Sequence, residues 1–230
     1  MPMKKIEDRL PPINPQERHL PCIVLVDGST STYGKANEEL NKGLQLMGEA
    51  LNEDEQAAGC CEVSIISFAS DVKTEMGFRA ASQYEAPHIT ANGCTSMNEA
   101  INTALDALEA RKQEYKDNGI THYRPWLFVL TDGYPTDTNL EAGARSRLQE
   151  YISRKKVNYI PMGIGDADIE HLKSYYPDTA QNKVVLTASK ENFKDAFVWL
   201  SDSMVSTSKS DPNLGSISSA PLPQTISLGL

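Results

Sequence analysis

Asp27, Ser29 and Ser31 stand at every second position directly after the apolar run Ile23 to Val26, in the stretch CIVLVDGSTST. In extended backbone alternate side chains point the same way, so a carboxylate and two hydroxyls can face one point. Two further stretches offer oxygen-bearing side chains in comparable places: NGCTS carries Thr95, and LTDGYPTD carries Asp132 after the run Trp126 to Leu130. Mg2+ takes about six oxygens in near-octahedral geometry, keeps waters readily and usually uses only one or two carboxylates. The five residues Asp27, Ser29, Ser31, Thr95 and Asp132 therefore predict one divalent-cation site, for Mg2+ with Mn2+ or Ca2+ as alternatives. If hydroxyls make the direct contacts, the bound ion keeps much of its charge and attracts a carboxylate from outside.

Each piece also has an ordinary explanation. Ser29 and Ser31 suit the start of the following helix, Thr95 beside Ser96 suits another cap, and Asp132-Gly133 suits a turn. Those explanations must hold at all three loops together, which the cation site does with one cause. Other chemistry is thin. His19, His88, His122 and His171 are scattered without a partner four residues on, and Cys22, Cys60, Cys61 and Cys94 form no C-x-x-C pair, which reads as four reduced thiols. GIGDAD, from Gly163, lacks the third glycine of a phosphate loop and reads as a turn, and Asp137, Asp166 and Asp168, near strand ends, read as solvated or capping residues. A hydrolase at the cation would need a base beside it, and Asp137 is the one candidate near these motifs. No catalytic residue is assigned.

In open α/β sheets ligands sit beyond the carboxyl ends of the strands, and the three loops are read as leaving such ends with oxygen-bearing side chains. The pattern agrees. Short apolar runs (Ile23 to Val26, EVSIISF, PWLFVL, VNYIPMGI, KVVLT) alternate with segments of helical period. Helices are expected over Lys35 to Leu51, Met97 to Tyr115, Asn139 to Lys155, DIEHLKSYY and Glu191 to about Val205, the second opening on a Ser96-x-x-Glu99 capping box. DVKTEM reads as a polar, antiparallel edge strand. The fold class is α/β: a doubly wound, Rossmann-like, mostly parallel sheet of about six strands with one antiparallel edge strand and helices on both faces.

Residues 20–206 carry this pattern, preceded by an extension over 1–19 and followed by a Ser/Pro-rich tail over 207–230. The tail is expected to gain order only by packing on another surface, with Leu222, Ile226 and Leu228 as anchors, and its deletion to leave the core nearly as stable. A net charge of −9 over 230 residues speaks against nucleic acid and anionic membrane surfaces, which are met with clustered Lys and Arg. The apolar runs are too short to span a bilayer, and the amino-terminal residues lack a leader's apolar stretch, so a cytoplasmic location is expected.

The spacing D-x-S-x-S after the first strand, a threonine in a glycine-containing loop and T-D-G after a later strand resembles the metal-ion-dependent adhesion site of von Willebrand factor A domains, at Asp27, Ser29, Ser31, Thr95 and Asp132. RPWLFVLTDGYPTD and the Ser-rich last helix are similar to the bacterial stress-associated branch linked to tellurium resistance. The loop departs from that branch's D-T-S-G-S-M: Gly28, Thr30 and Thr32 replace Thr, Gly and Met, and Thr30 at a glycine position bears on the loop conformation. The resemblance implies a docking module that recruits a protein partner through the ion and the partner's Asp or Glu. It further implies work beside phosphorylation enzymes, a kinase or phosphatase, in a stress or defence system. A metal-dependent phosphohydrolase is the alternative.

Overall fold

The computed structural model describes residues 18–210 and 218–229. Most of the expected amino-terminal extension thus lies outside the described residues. One seven-stranded sheet has the order β3-β2-β1-β4-β5-β6-β7. Its strands are β1 (Leu20–Asp27), β2 (Cys61–Phe68), β3 (Val72–Ala80), β4 (Trp126–Thr131), β5 (Asn158–Ile164), β6 (Val185–Ala188) and β7 (Ile226–Gly229). The helices are α1 (Lys35–Glu53), α2 (Glu55–Cys60), α3 (Met97–Asp117), α4 (Thr138–Ser153), α5 (Ile169–Lys173) and α6 (Phe193–Ser208).

The central strands are apolar throughout because both faces are covered. Along β1, Cys22, Val24 and Val26 pack with Leu40 and Leu44 of α1 and Phe197 of α6, whereas Ile23 and Leu25 pack with Ile101 and Leu105 of α3 and Leu148 of α4. β4 divides the same way, with Phe128 and Leu130 on one side and Leu127 and Val129 on the other. A two-residue period under two apolar layers leaves no polar position, which is the signature of a buried parallel strand. Burial of the large aliphatic and aromatic side chains stabilises the fold by about 1.5–3 kcal/mol each. Among the described residues, no helix is long and apolar enough to cross a membrane.

The doubly wound sheet agrees with expectation, with two differences at its edges. β3 pairs antiparallel with β2 and is longer than the DVKTEM segment, running on to Ala80. The other edge was not expected: β7 pairs antiparallel with β6, making seven strands rather than about six. Four residues with only Ile226 buried carry too little alternation to stand out from a Ser/Pro-rich text. The segment packs on its own chain: Ala220 O accepts the Trp199 indole N–H at 3.1 Å, and Ala220 N donates to Ser203 Oγ at 2.9 Å. Of the three expected anchors Ile226 is buried, while Leu222 and Leu228 stay exposed.

A second polar assembly lies where β2 begins, at the far end from the carboxyl ends of the parallel strands. Glu62 there receives Arg111 at 2.6 Å, the Tyr115 hydroxyl at 2.5 Å and His19 at 2.9 Å, all buried.

Candidate metal centre

β1 lies between β2 and β4, and Val26 is registered with Leu130, so the two strands deliver Asp27 and Thr131-Asp132 side by side. This is the point where the strand order reverses, and a crevice opens there because the following connections leave to opposite faces. Thr131 Oγ1 donates to Asp27 Oδ2 at 2.5 Å, and the Ser29 amide donates to Asp27 Oδ1 at 2.9 Å. Both carboxylate oxygens are thereby held. Ser31 Oγ donates to Asp132 Oδ1 at 2.5 Å, and Ser29 Oγ lies 2.8 Å from Ser31 Oγ. Thr95 completes the group: a methyl placed on Gly133 would sit 3.4 Å from Thr95 Oγ1 and 3.9 Å from Asp27 Oδ2. The fold thus gathers all five sequence-predicted residues around one point. Asp27, Ser29, Thr95 and Asp132 are buried, and Ser31 opens to solvent.

Backbone bonds tie the three loops to each other. Thr30 N and Thr30 Oγ1 both donate to Gly93 O, at 3.2 and 3.0 Å, and Asn92 N donates to Gly28 O at 2.8 Å. Thr136 N donates to Thr95 O at 2.9 Å, and Thr95 N donates to Thr136 Oγ1 at 3.1 Å. Gly93 has φ +65°, and a methyl on it would fall 2.1 Å from Ser70 Oγ, so both its backbone and its contact require glycine. Thr30 needs no such freedom. It opens the 3-10 turn Thr30–Thr32, and among the described residues Lys155 is the only non-glycine with positive φ. The departure from the resembled loop therefore costs no strain and adds a hydroxyl bond.

The expected capping box at Ser96 and Glu99 does not form: Ser96 makes no side-chain cap bond, and its hydroxyl donates to Ser70 O at 3.3 Å. The cap comes from elsewhere. Asp137 Oδ2 accepts Glu99 N at 2.8 Å and Asp137 Oδ1 accepts Asn98 N at 3.3 Å, an ionised acceptor at the positive end of α3 that outcompetes a serine hydroxyl. Asn98 Nδ2 also donates to Asp137 Oδ1 at 3.0 Å, while Asn98 Oδ1 accepts the buried Tyr175 hydroxyl at 2.5 Å. Asp168 caps α5 through His171 N at 2.8 Å, as its reading as a capping residue anticipated. Sequence reasoning also missed Thr131 and Lys190. The threonine that opens T-D-G is Thr131 itself, a legible hint of the first, but nothing local marks a lysine 58 positions beyond Asp132 as a neighbour of the site.

Burial pushes the Asp27 carboxyl above its ordinary range, and the nearby Asp132 charge adds to this against the bonds from Ser29 and Thr131. Two carboxylates this deep favour a cation between or beside them. One cation is already drawn in, since Lys190 Nζ lies 2.6 Å from Asp132 Oδ2. Among the described residues no three His, Cys, Asp or Glu side chains gather as a metal-binding group. The donors here are two carboxylates and three hydroxyls, a hard, oxygen-only set that fits Mg2+, Mn2+ or Ca2+ better than a soft-ligand metal. The group therefore fits such an ion. At the rim, Tyr33 and Tyr134 are exposed, and the Tyr134 ring lies 4.3 Å from the His171 ring.

No curated protein matches this sequence. Among solved structures, the vWF domain of the type V pili tip protein Mfa5 from Porphyromonas gingivalis superimposes with a TM-score of 0.60 at 9% identity, over 80% of this chain and 94% of that one. The ArnB paralog VWA2 from Sulfolobus acidocaldarius gives 0.53 at 21% identity, over 84% and 46%. Proximal thread matrix protein 1 from the mussel byssus, with a zinc-occupied MIDAS motif, gives 0.50 at 15% identity, over 81% and 48%. The chain thus spans nearly all of the first and about half the length of the other two. At such identities the likeness is one of fold. The sequence model of the von Willebrand factor type A domain matches residues 22–197, most of the chain, and the protein belongs to that family.

Proposed function

We propose that this protein is a metal-dependent docking module, in which Asp27, Ser29, Ser31, Thr95 and Asp132 hold one Mg2+ and a protein partner completes the ion with an Asp or Glu. The observation that carries this reading is the convergence of two buried carboxylates and three hydroxyls on three cross-tied loops, with Ser31 at the solvent side. Two aspartates balance a divalent charge, and neutral hydroxyls leave the ion able to attract a further carboxylate. The zinc-occupied MIDAS motif of the mussel protein gives a precedent for a divalent ion on this fold. Residues 20–206 form the module in this reading, which assigns no catalysis: both oxygens of Asp137 already accept α3 amides, so the one nearby candidate base is committed to structure. We further place the protein in the cytoplasm, on the shortness of its apolar runs, and in the tellurium-resistance branch beside a kinase or phosphatase, on the resemblance of RPWLFVLTDGYPTD and the Ser-rich helix alone.

The test is capture of partners on immobilised protein with Mg2+ and with chelator, next to Asp132→Ala. Partner bands that need both the ion and Asp132 support the reading. Capture indifferent to chelator, or hydrolysis of a phosphate ester by purified protein, defeats it.

A further inference from the structure

Lys190 reaches the site from a fourth direction, outside the three loops. It opens the short 3-10 turn Lys190–Asn192 between β6 and α6, and its ammonium lies 2.6 Å from Asp132 Oδ2 while donating to Ser31 O at 3.2 Å. The path of its stem is built in. Gly165, at φ +61°, lies under it, and a methyl there would sit 3.1 Å from Lys190 Cε and 3.3 Å from Lys190 Cγ. Asp132 Oδ1 is taken by Ser31 at 2.5 Å, so Lys190 meets the remaining oxygen of that carboxylate. The ammonium end is no fixture of the core, since 38% of the side chain is exposed and its outer end can turn to water.

We propose that Lys190 is a tethered competitor for the divalent ion: it neutralises Asp132 when the ion is absent and must leave when the ion binds. This rests on the reading of the five residues as a cation site. A lysine ammonium is a compact, strongly hydrated charge on a flexible stem, suited to leaving a carboxylate in exchange for water. An approaching divalent ion meets an Asp132 already paired and a like charge beside it, both of which weaken its binding. The site then fills only above a threshold of free metal, and Lys190 sets that threshold. Ordering also changes hands, because the ion takes over the stitch between Asp132 and Ser31 that the ammonium makes without it.

Calorimetric titration of the full chain with Mg2+ and with Mn2+ tests this on wild type, Lys190→Met, Lys190→Arg and Lys194→Met. Lys190→Met keeps the stem and removes the charge, and is expected to bind the ion about fivefold more tightly, the scale of a solvent-screened, partly exposed ion pair. Lys190→Arg keeps the charge and gains nothing. Lys194→Met, which loses a lysine paired with Glu39 at 3.5 Å, matches wild type. Amine-reactive labelling read by mass spectrometry gives an independent measure on the unmutated protein: labelling of Lys190 rises when Mg2+ is added. Equal or weaker metal binding by Lys190→Met, equal tightening in Lys194→Met, or labelling of Lys190 that does not rise each overturns the competition. A wild type that binds metal with Lys190→Met unchanged removes this inference alone, whereas silence from both proteins removes the cation site as well. Binding by Lys190→Met where wild type is silent supports it in its strongest form.

Discussion

Asp137, in the loop after β4, accepts the amide of Glu99 at 2.8 Å and so caps a helix that begins in a different loop. With the Thr95 and Thr136 bonds beside it, that contact locks the two loops carrying Thr95 and Asp132 into one unit. Asp137→Ala should destabilise the fold by about 1–2 kcal/mol, the range for losing an N-terminal cap. Denaturant unfolding measures it, and Asp137→Asn should recover part of the loss because its amide oxygen still accepts. A null effect would mean that the loops hold without this bond.

Metal binding should depend on residues rather than on net charge. Titration of chelator-stripped wild type is expected to show one Mg2+ or Mn2+ site, and Asp27→Ala or Asp132→Ala to show none at millimolar metal with circular dichroism unchanged. Thr95→Ala should lose most of the affinity while folding normally. Retention of full binding by all three would place the ion elsewhere.

Gly93→Ala probes the seam between the loops. Alanine at φ +65° is strained by about 1–3 kcal/mol, and its methyl must also push Ser70 away. Lower thermal stability together with weaker Mg2+ binding is the expected result. Gly143→Ala, inside α4 where a methyl meets nothing, should raise stability by about 0.5–1 kcal/mol and leave Mg2+ binding unchanged.

The Glu62 network makes a prediction in pH. Burial alone would raise the Glu62 carboxyl, but His19, Arg111 and Tyr115 outweigh burial and hold it below its ordinary 4.5. A depressed acid contributes stability that is present above its unfolded value and is lost as pH falls through the folded one. Wild type should therefore lose stability below about pH 4.5, and Glu62→Gln should flatten that limb. At neutral pH Glu62→Gln leaves the buried Arg111 with the half-exposed Glu114 as its remaining carboxylate partner and should cost about 3 kcal/mol. Thermal melts across pH 3 to 7 decide it, and metal titration of the same variant should match wild type.

Removing residues 211–230 should destabilise the domain, against the expectation from composition. The cut exposes β6 as an edge, uncovers the Ile226 contact and takes the carbonyl from Trp199, together worth about 2–4 kcal/mol. Urea unfolding followed by tryptophan fluorescence measures the loss. An unchanged midpoint would mean that β7 adds nothing to the core.

Much of the fold was legible because local chemistry dictates it. The runs through Val24 and Phe128 admit no polar residue, so each had to be a strand covered on both faces, and Leu40, Leu44 and Met47 recur at the spacing of a helix face. The D-x-S-x-S spacing named residues that the fold brings together, but its premise of one extended chain needs correcting: the strand ends at Asp27, and Ser31 joins the group from the 3-10 turn Thr30–Thr32. Oxygen donors in that pattern already named a hard cation. What the sequence could not decide were pairings between residues distant along the chain. Whether Ser96 or Asp137 caps α3 depends on which acceptor the packed loops bring to the amides, and an ionised carboxylate wins once it is within reach. Ile226 becomes a strand residue only because β6 offers it a partner, since four residues have no strand propensity strong enough to act alone. Lys190 is an anonymous surface lysine in the text and a neighbour of Asp132 in space, because the turn after β6 and the bare backbone of Gly165 lay its stem across the carboxyl ends of the strands.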